Sequence, residues 1–167
     1  MRTIKFRGKR IDNIKHERKE FVYGSFLYLN TYEYDWNGDR SRNKKEVYFI
    51  VGEDDINIII DKETLGQFTG LHDKNGKEIY EGDIVKFEDI GEDGYEYKEG
   101  FDFENEAQVI YEEGQVTLTN FGEGDNSHYA NDGQSDILDE ILRNGNCEVI
   151  GNIYENPELL ERSSNGH

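Results

Sequence analysis

A chain of 167 residues with 37 acids against 19 bases carries a net charge of −18, a field that repels nucleic acid and anionic membranes within a Debye length. Apolar residues make up only 34%, but eleven tyrosines and nine phenylalanines supply enough buried area for a compact core and exclude wholesale disorder. The length holds one domain or two small packed subdomains. The start MRTIKFRGKR lacks the apolar segment of a signal peptide, and no run approaches a membrane span, so a soluble cytoplasmic protein is expected.

In chain order, Thr3 to Phe6 reads as a first short strand. Lys5, Arg7, Lys9, Arg10, Lys15, Arg18 and Lys19 form the basic region of the chain, either a solvated loop and strand face or an anion or nucleic-acid contact. Phe21 to Leu29 is a second strand, dense in aromatics. Residues 30 to 45 read as a polar loop carrying Trp36, which either anchors a partner or folds back onto the core. Asp35, Asn37 and Asp39 alternate there, but without the spacing or flanking helices of a calcium loop. Glu46 to Val51 and Ile56 to Ile60 make a hairpin about Gly52 to Asp55. The isoleucines predict a strand covered on both faces. Asp61 to Thr64 reads as a break and a subdomain boundary. Residues 1–63 are expected as an antiparallel meander, residues 64–162 as a barrel-like half with one helix, and residues 163–167 as a frayed tail.

The next stretch, GQFTGLHDKNGKEIYEGDIV (residues 66–85), organises the chain. Asn75-Gly76 between strand-like runs is a hairpin signal, and Asp73 can accept a bond from the backbone two residues on. Gly82 gives a second sharp turn before Ile84, Val85 and Phe87. A sheet that bends this often is closing on itself, as small barrels do. A phosphate cradle would need a helix after the loop, and a strand follows instead. Residues 88–106 combine acids with Tyr95, Tyr97, Phe101 and Phe103, as a long loop or an extended hairpin tip. Ala107 to Glu112 and Gln115 to Thr119 form a hairpin about Glu113-Gly114, with Val109 and Tyr111 on one face and Val116 and Leu118 on one face of the partner. A glycine- and asparagine-rich loop covers residues 120–133. Ser135 to Asn144 predicts a helix, capped by Ser135 and closed by Gly145, with Ile137, Leu138, Ile141 and Leu142 on one stripe. Glu148 to Tyr154 is the last strand. Asn156-Pro157 opens a short terminal helix, with Asn156 capping it and Leu159 and Leu160 docking it.

Three blocks carry a family resemblance. The stretch at residues 66–85 resembles the hallmark of the YopX family of phage and prophage proteins. KFRGKR (residues 5–10) and FVYGSF (residues 21–26) resemble the family's opening, and EVIGNIYENPELL (residues 148–160) its closing block. The resemblance implies a mostly β protein of phage origin in a bacterial cytoplasm, and implies no reaction. Residues 30–45 and 88–106 look longer and more polar than the family's loops.

No catalytic constellation is legible. His16, His72, His128 and His167 stand at no metal-ligand spacing, and no nucleophile elbow occurs. Cys147 cannot form an internal disulfide and reads as a buried, inert thiol. The expectation is therefore a mainly β, antiparallel protein without cofactor or metal that binds an unidentified protein, a basic one fitting its charge. The candidate contact residues are Trp36, Tyr95, Tyr97, Phe101 and Phe103. The alternatives are an acidic mimic of nucleic acid that inhibits a host DNA-binding protein, and a small-barrel nucleic-acid binder, for which residues 5 to 19 would have to form one surface.

Overall fold

The computed structural model describes residues 4–11, 20–34, 37, 40–52, 57–88, 104–112, 114–119 and 147–161. The expected helix at 135–144, the loop at 120–133 and most of the stretch 88–106 lie outside them. The chain packs as two compact units, Met1–Phe68 and Thr69–His167. Its described elements are β1 (Phe6–Arg10), β2 (Phe21–Tyr34), β3 (Arg40–Val51), β4 (Asn57–His72), β5 (Glu78–Tyr80), β6 (Asp83–Glu88), β7 (Glu104–Glu112), β8 (Gln115–Thr119), β9 (Cys147–Asn152) and α1 (Glu158–Glu161). The protein is mainly β and is built of antiparallel sheets, as the sequence predicts.

In the first unit the strands follow one another in a meander, and β4 returns to pair with β1. That pairing closes a ring of β1 to β4. The closure expected in the second half is thus found in the first, although the opening of the 66–85 stretch takes part: Gly66 lies opposite Arg7 and Gln67 opposite Phe6. Alternation assigns the faces, because directly opposed residues share one. Phe26, Ile50 and Ile58 form one cross-strand row, and Ile50 is fully buried, so this face is the interior. Phe6 packs on Phe26 with centroids 5.5 Å apart, and Phe26 stacks on Tyr48 at 6.0 Å. At Gly24, β2 passes from β1 to β3, and a side chain there would collide with the Val51 carbonyl.

Three sequence expectations change here. The first strand begins at Phe6 rather than ending there. The polar loop at 30–45 is largely the two arms of one long hairpin, with Thr31 opposite Lys45 and Tyr34 opposite Arg40. Polar composition hid it, because a two-stranded arm beyond the ring has no core face to mark with apolar residues. Asp61 to Thr64 is a bulge inside β4, not a break: the β1 register jumps from Arg7 opposite Gly66 to Lys9 opposite Asp61. The buried Thr64 hydroxyl fills the irregularity, accepting from Lys9 N at 2.7 Å and donating to the Asp61 carbonyl at 2.7 Å.

In the second unit the four-stranded sheet runs β8-β7-β6-β9. Val85, Phe87, Ala107, Val109, Cys147 and Val149 are buried with Ile79 as one core, flanked by Leu71, Val116 and Leu118. Val109 faces Leu118 and Tyr111 faces Val116, in keeping with the shared faces read from alternation. On the other face Lys86 stands between Glu106 and Glu148, opposite charges in register. Both predicted turns form, with Gly76 at φ 80 and Gly82 at φ 82. In the first, Asp73 Oδ1 accepts from Asn75 N at 2.8 Å and Lys77 N at 2.9 Å, while Oδ2 accepts from Val149 N at 3.1 Å. In the second, buried Asp83 accepts from Tyr80 N at 2.8 Å. The last strand ends at Asn152, two residues short of the expected Tyr154. The Asn152 side chain then takes the amides of Tyr154 and Glu155, both at 3.0 Å. Asn156 starts α1 through its carbonyl, but its side chain accepts from Asn152 N at 3.4 Å instead of capping that helix.

Burial pushes the Asp73 carboxyl up, but the amides of Val149, Lys77 and Asn75 outweigh it and hold the group below its ordinary value of 3.8. A depressed native value stabilises the fold above the unfolded value and loses that stabilisation as pH falls through the native one. Asp73→Asn should therefore cost about 2 kcal/mol at pH 7, and the gap to the wild type should narrow toward pH 3, as read by urea denaturation at each pH. Thr64→Val leaves the Lys9 amide without its hydroxyl acceptor. It should cost about 2 kcal/mol at any pH in the same assay, with the larger loss of hydrogen-exchange protection at Lys9.

Candidate protein-interaction surface

The interior face of the β1–β4 ring ends in a polar group of side chains. Tyr28 OH donates within reach of Asn30 Oδ1 at 2.9 Å and Glu46 Oε1 at 3.0 Å, and Tyr48 OH donates to Glu46 Oε2 at 3.2 Å. The two rings lie 5.2 Å apart. Desolvation first, and then the Glu46 carboxylate accepting from the phenols, raise both tyrosines above the ordinary phenol value. They are neutral hydrogen-bond donors at physiological pH and have no tendency to act as bases.

The opposite face is apolar and open. Leu27, Phe49 and Ile59 lie directly across β2, β3 and β4, and Leu29 lies across from Val47. Leu29 is 46% exposed, Ile59 39% and Leu27 36%. The sequence predicts cover on both faces of the isoleucine strand; Ile60 is buried, but Ile59 is not. The ring has one interior, and apolar residues of the other parity are left facing out. Alongside runs a groove of about 740 Å³, lined by Ile11, Val47, Tyr48, Ile59, Ile60 and the Lys45-Glu46 and Asp61-Lys62 pairs.

The basic strand β1 makes a third surface feature. Arg7 lies over the Phe21 ring at 4.9 Å, Lys9 over the same ring at 5.9 Å, and Lys5 over Tyr23 at 5.8 Å. Arg7 is only 4% exposed, so part of the basic cluster is packing rather than free surface.

The sequence-predicted contact residues Trp36, Tyr95, Tyr97, Phe101 and Phe103 all lie outside the described residues. Sequence reasoning missed the Leu27, Leu29 and Ile59 face. Its signal was present: FLYL and INIII are apolar at both parities, which a ring with one interior cannot bury. Asp73, next to His72 in the chain, is committed to backbone amides. Cys147 is fully buried, and burial followed by the Asp73 charge pushes its thiol up to about 11. It is therefore a protonated core residue at neutral pH. Among the described residues no group of three or more His, Cys, Asp or Glu is placed to hold a metal ion, and no helix is long and apolar enough to cross a membrane.

Comparison with known proteins adds a family. No curated protein matches the chain. Among solved structures, protein EF1440 from Enterococcus faecalis is similar, at 24% identity and a TM-score of 0.42, over 95% of this chain and 98% of that one. The sequence model of the family described as YopX protein matches residues 5–161. Nearly the whole chain is covered by that match, and the chain belongs to the YopX family.

Proposed function

We propose that this YopX-family chain is a non-enzymatic accessory protein of a phage or prophage, which binds another protein in the bacterial cytoplasm. The observation that carries the reading is the exposed aliphatic face of the first unit. Leu27 and Leu29 on β2 and Ile59 on β4 stand exposed on one face, with Val47 and Phe49 of β3 half-buried between them. A contiguous apolar patch on a polar, highly charged chain costs solubility and marks an interaction site when it is kept. Its rim carries Lys45 and Asp61, opposite charges that suit a protein surface better than a polyanion.

A nucleic-acid reading draws on the cation–ring contacts of β1 and β2, since small barrels bind single strands with aromatic platforms and basic grooves. It is the weaker reading, because Lys5 and Lys9 already lie over the barrel's own rings and the chain carries −18 overall. Mimicry of nucleic acid rests on that charge alone, which solubility also explains.

Leu27→Asp/Leu29→Asp should abolish capture of a partner that the wild-type chain retains from lysogenic cells, with the thermal midpoint unchanged. Equal capture by both proteins would remove the apolar face from the interface. Fluorescence anisotropy with a labelled single strand at low salt should show no binding. Saturable binding that falls steeply with salt would favour the nucleic-acid reading instead.

A further inference from the structure

We propose that the partner contributes an extended segment, apolar at alternate positions, that adds as a strand to the edge of β3 beside the groove; this rests on the protein-binding reading above. The two ladders of β3 have different lengths. Its pairing with β2 continues to Tyr34 opposite Arg40, but its pairing with β4 stops at Phe49 opposite Ile59. Among the described residues no strand pairs with β3 on that side between Arg40 and Tyr48. The groove lies where the ladder stops, between Lys45 to Tyr48 on one wall and Ile59 to Lys62 on the other.

The direction of the backbone groups follows from one bond. The Ile59 carbonyl accepts from Ile11 N at 3.1 Å, so Ile59 presents its peptide groups toward β1. Alternation then turns those of Ile58 toward β3, where Ile50 meets them. Two and four residues back from Ile50, Tyr48 and Glu46 present their peptide groups to the same side, the side of the groove. An arriving strand would meet a repeating donor and acceptor pattern there, which recognises backbone and not side-chain identity.

The lining sets the side chains. On one face of the arriving strand stand Val47, Ile59 and Ile11, and on the other Tyr48 and Ile60. Residues of alternate parity would therefore enter apolar surroundings. The four charges, Lys45, Glu46, Asp61 and Lys62, are two of each sign, so the groove is locally neutral inside a chain of net −18. Local neutrality fits an uncharged segment and gives a polyphosphate no foothold.

The probe is an acetylated, amidated hexapeptide of alternating valine and threonine, titrated into the 15N-labelled full chain. Saturable amide shifts centred on Glu46, Val47, Tyr48 and Ile60 to Lys62 are expected. N-methylation of the peptide's alternate amides on one edge should weaken binding by about tenfold or more, because a methylated edge cannot complete the ladder. Shifts absent at millimolar peptide, shifts confined to β8 or β9, or equal affinity for the methylated peptide would each overturn strand addition. Partner capture that is lost in Leu27→Asp/Leu29→Asp, while the peptide fails to bind the wild type, would sink strand addition alone. Peptide binding with capture unaffected by that double variant would sink the apolar-face reading alone.

Discussion

The first unit depends on a stagger in β4. Residues 57 to 59 of that strand pair with β3, and residues 60 to 67 pair with β1. A closed sheet needs such a shear, because twisted strands can only meet end to end around a ring if successive registers are offset. Beyond the change of partner, the β1 ladder carries a bulge between Asp61 and Gly66, which Thr64 fills with its hydroxyl. The offset leaves β3, among the described residues, with no partner on the β4 side below Phe49, so the hairpin of β2 and β3 runs on past the ring with that edge open. The groove is therefore a product of closure, not an accident of loop packing.

Acidity has a different role at short range from the one its total suggests. Two described carboxylates are buried, and both hold backbone. Asp73 gathers amides from its own turn and from β9, which lies more than seventy residues further on. Asp83 closes the following turn on Tyr80 N. A carboxylate that accepts several amide bonds keeps its charge despite burial, and the stability it confers grows with its ionisation. Asn152 performs the same task without charge at the end of β9. These groups are spent on geometry: their side-chain oxygens hold backbone amides in place.

The sequence was most legible where a core face exists. The strands of the second unit, its two glycine turns and the pairing of Val109 and Tyr111 with Leu118 and Val116 follow from alternation and turn chemistry. Legibility failed where alternation has no core to point at. The arms beyond Leu29 and before Glu46 are polar on both faces, so they read as loop, and pairing with each other makes them strand. The turn-like residues Asp61 to Thr64 suggest a break, but they serve a local irregularity inside a continuing strand. The apolar face was hidden by the opposite error. Leu27, Leu29 and Ile59 look like core by composition, and only closure of the ring decides which parity goes inside. The expected contact residues Trp36, Tyr95, Tyr97, Phe101 and Phe103 lie outside the described residues, and the exposed face among the described ones is built from aliphatic side chains.

An open strand edge beside an aliphatic face is an aggregation hazard in most proteins, because two copies can pair edge to edge. Here the long-range field works against that outcome. Two chains each carrying −18 repel as they approach within about one Debye length, about 8 Å at physiological ionic strength, before short-range contacts can form. The groove itself is locally neutral, so a neutral or basic partner meets no such barrier once it arrives. Under the proposed strand addition, charge and edge would act at different distances: the acid excess would oppose self-association, while the backbone pattern of β3 and the apolar walls would select an extended segment at contact. On this reading the acid excess makes an exposed edge tolerable, and the edge gives a charged surface something specific to hold.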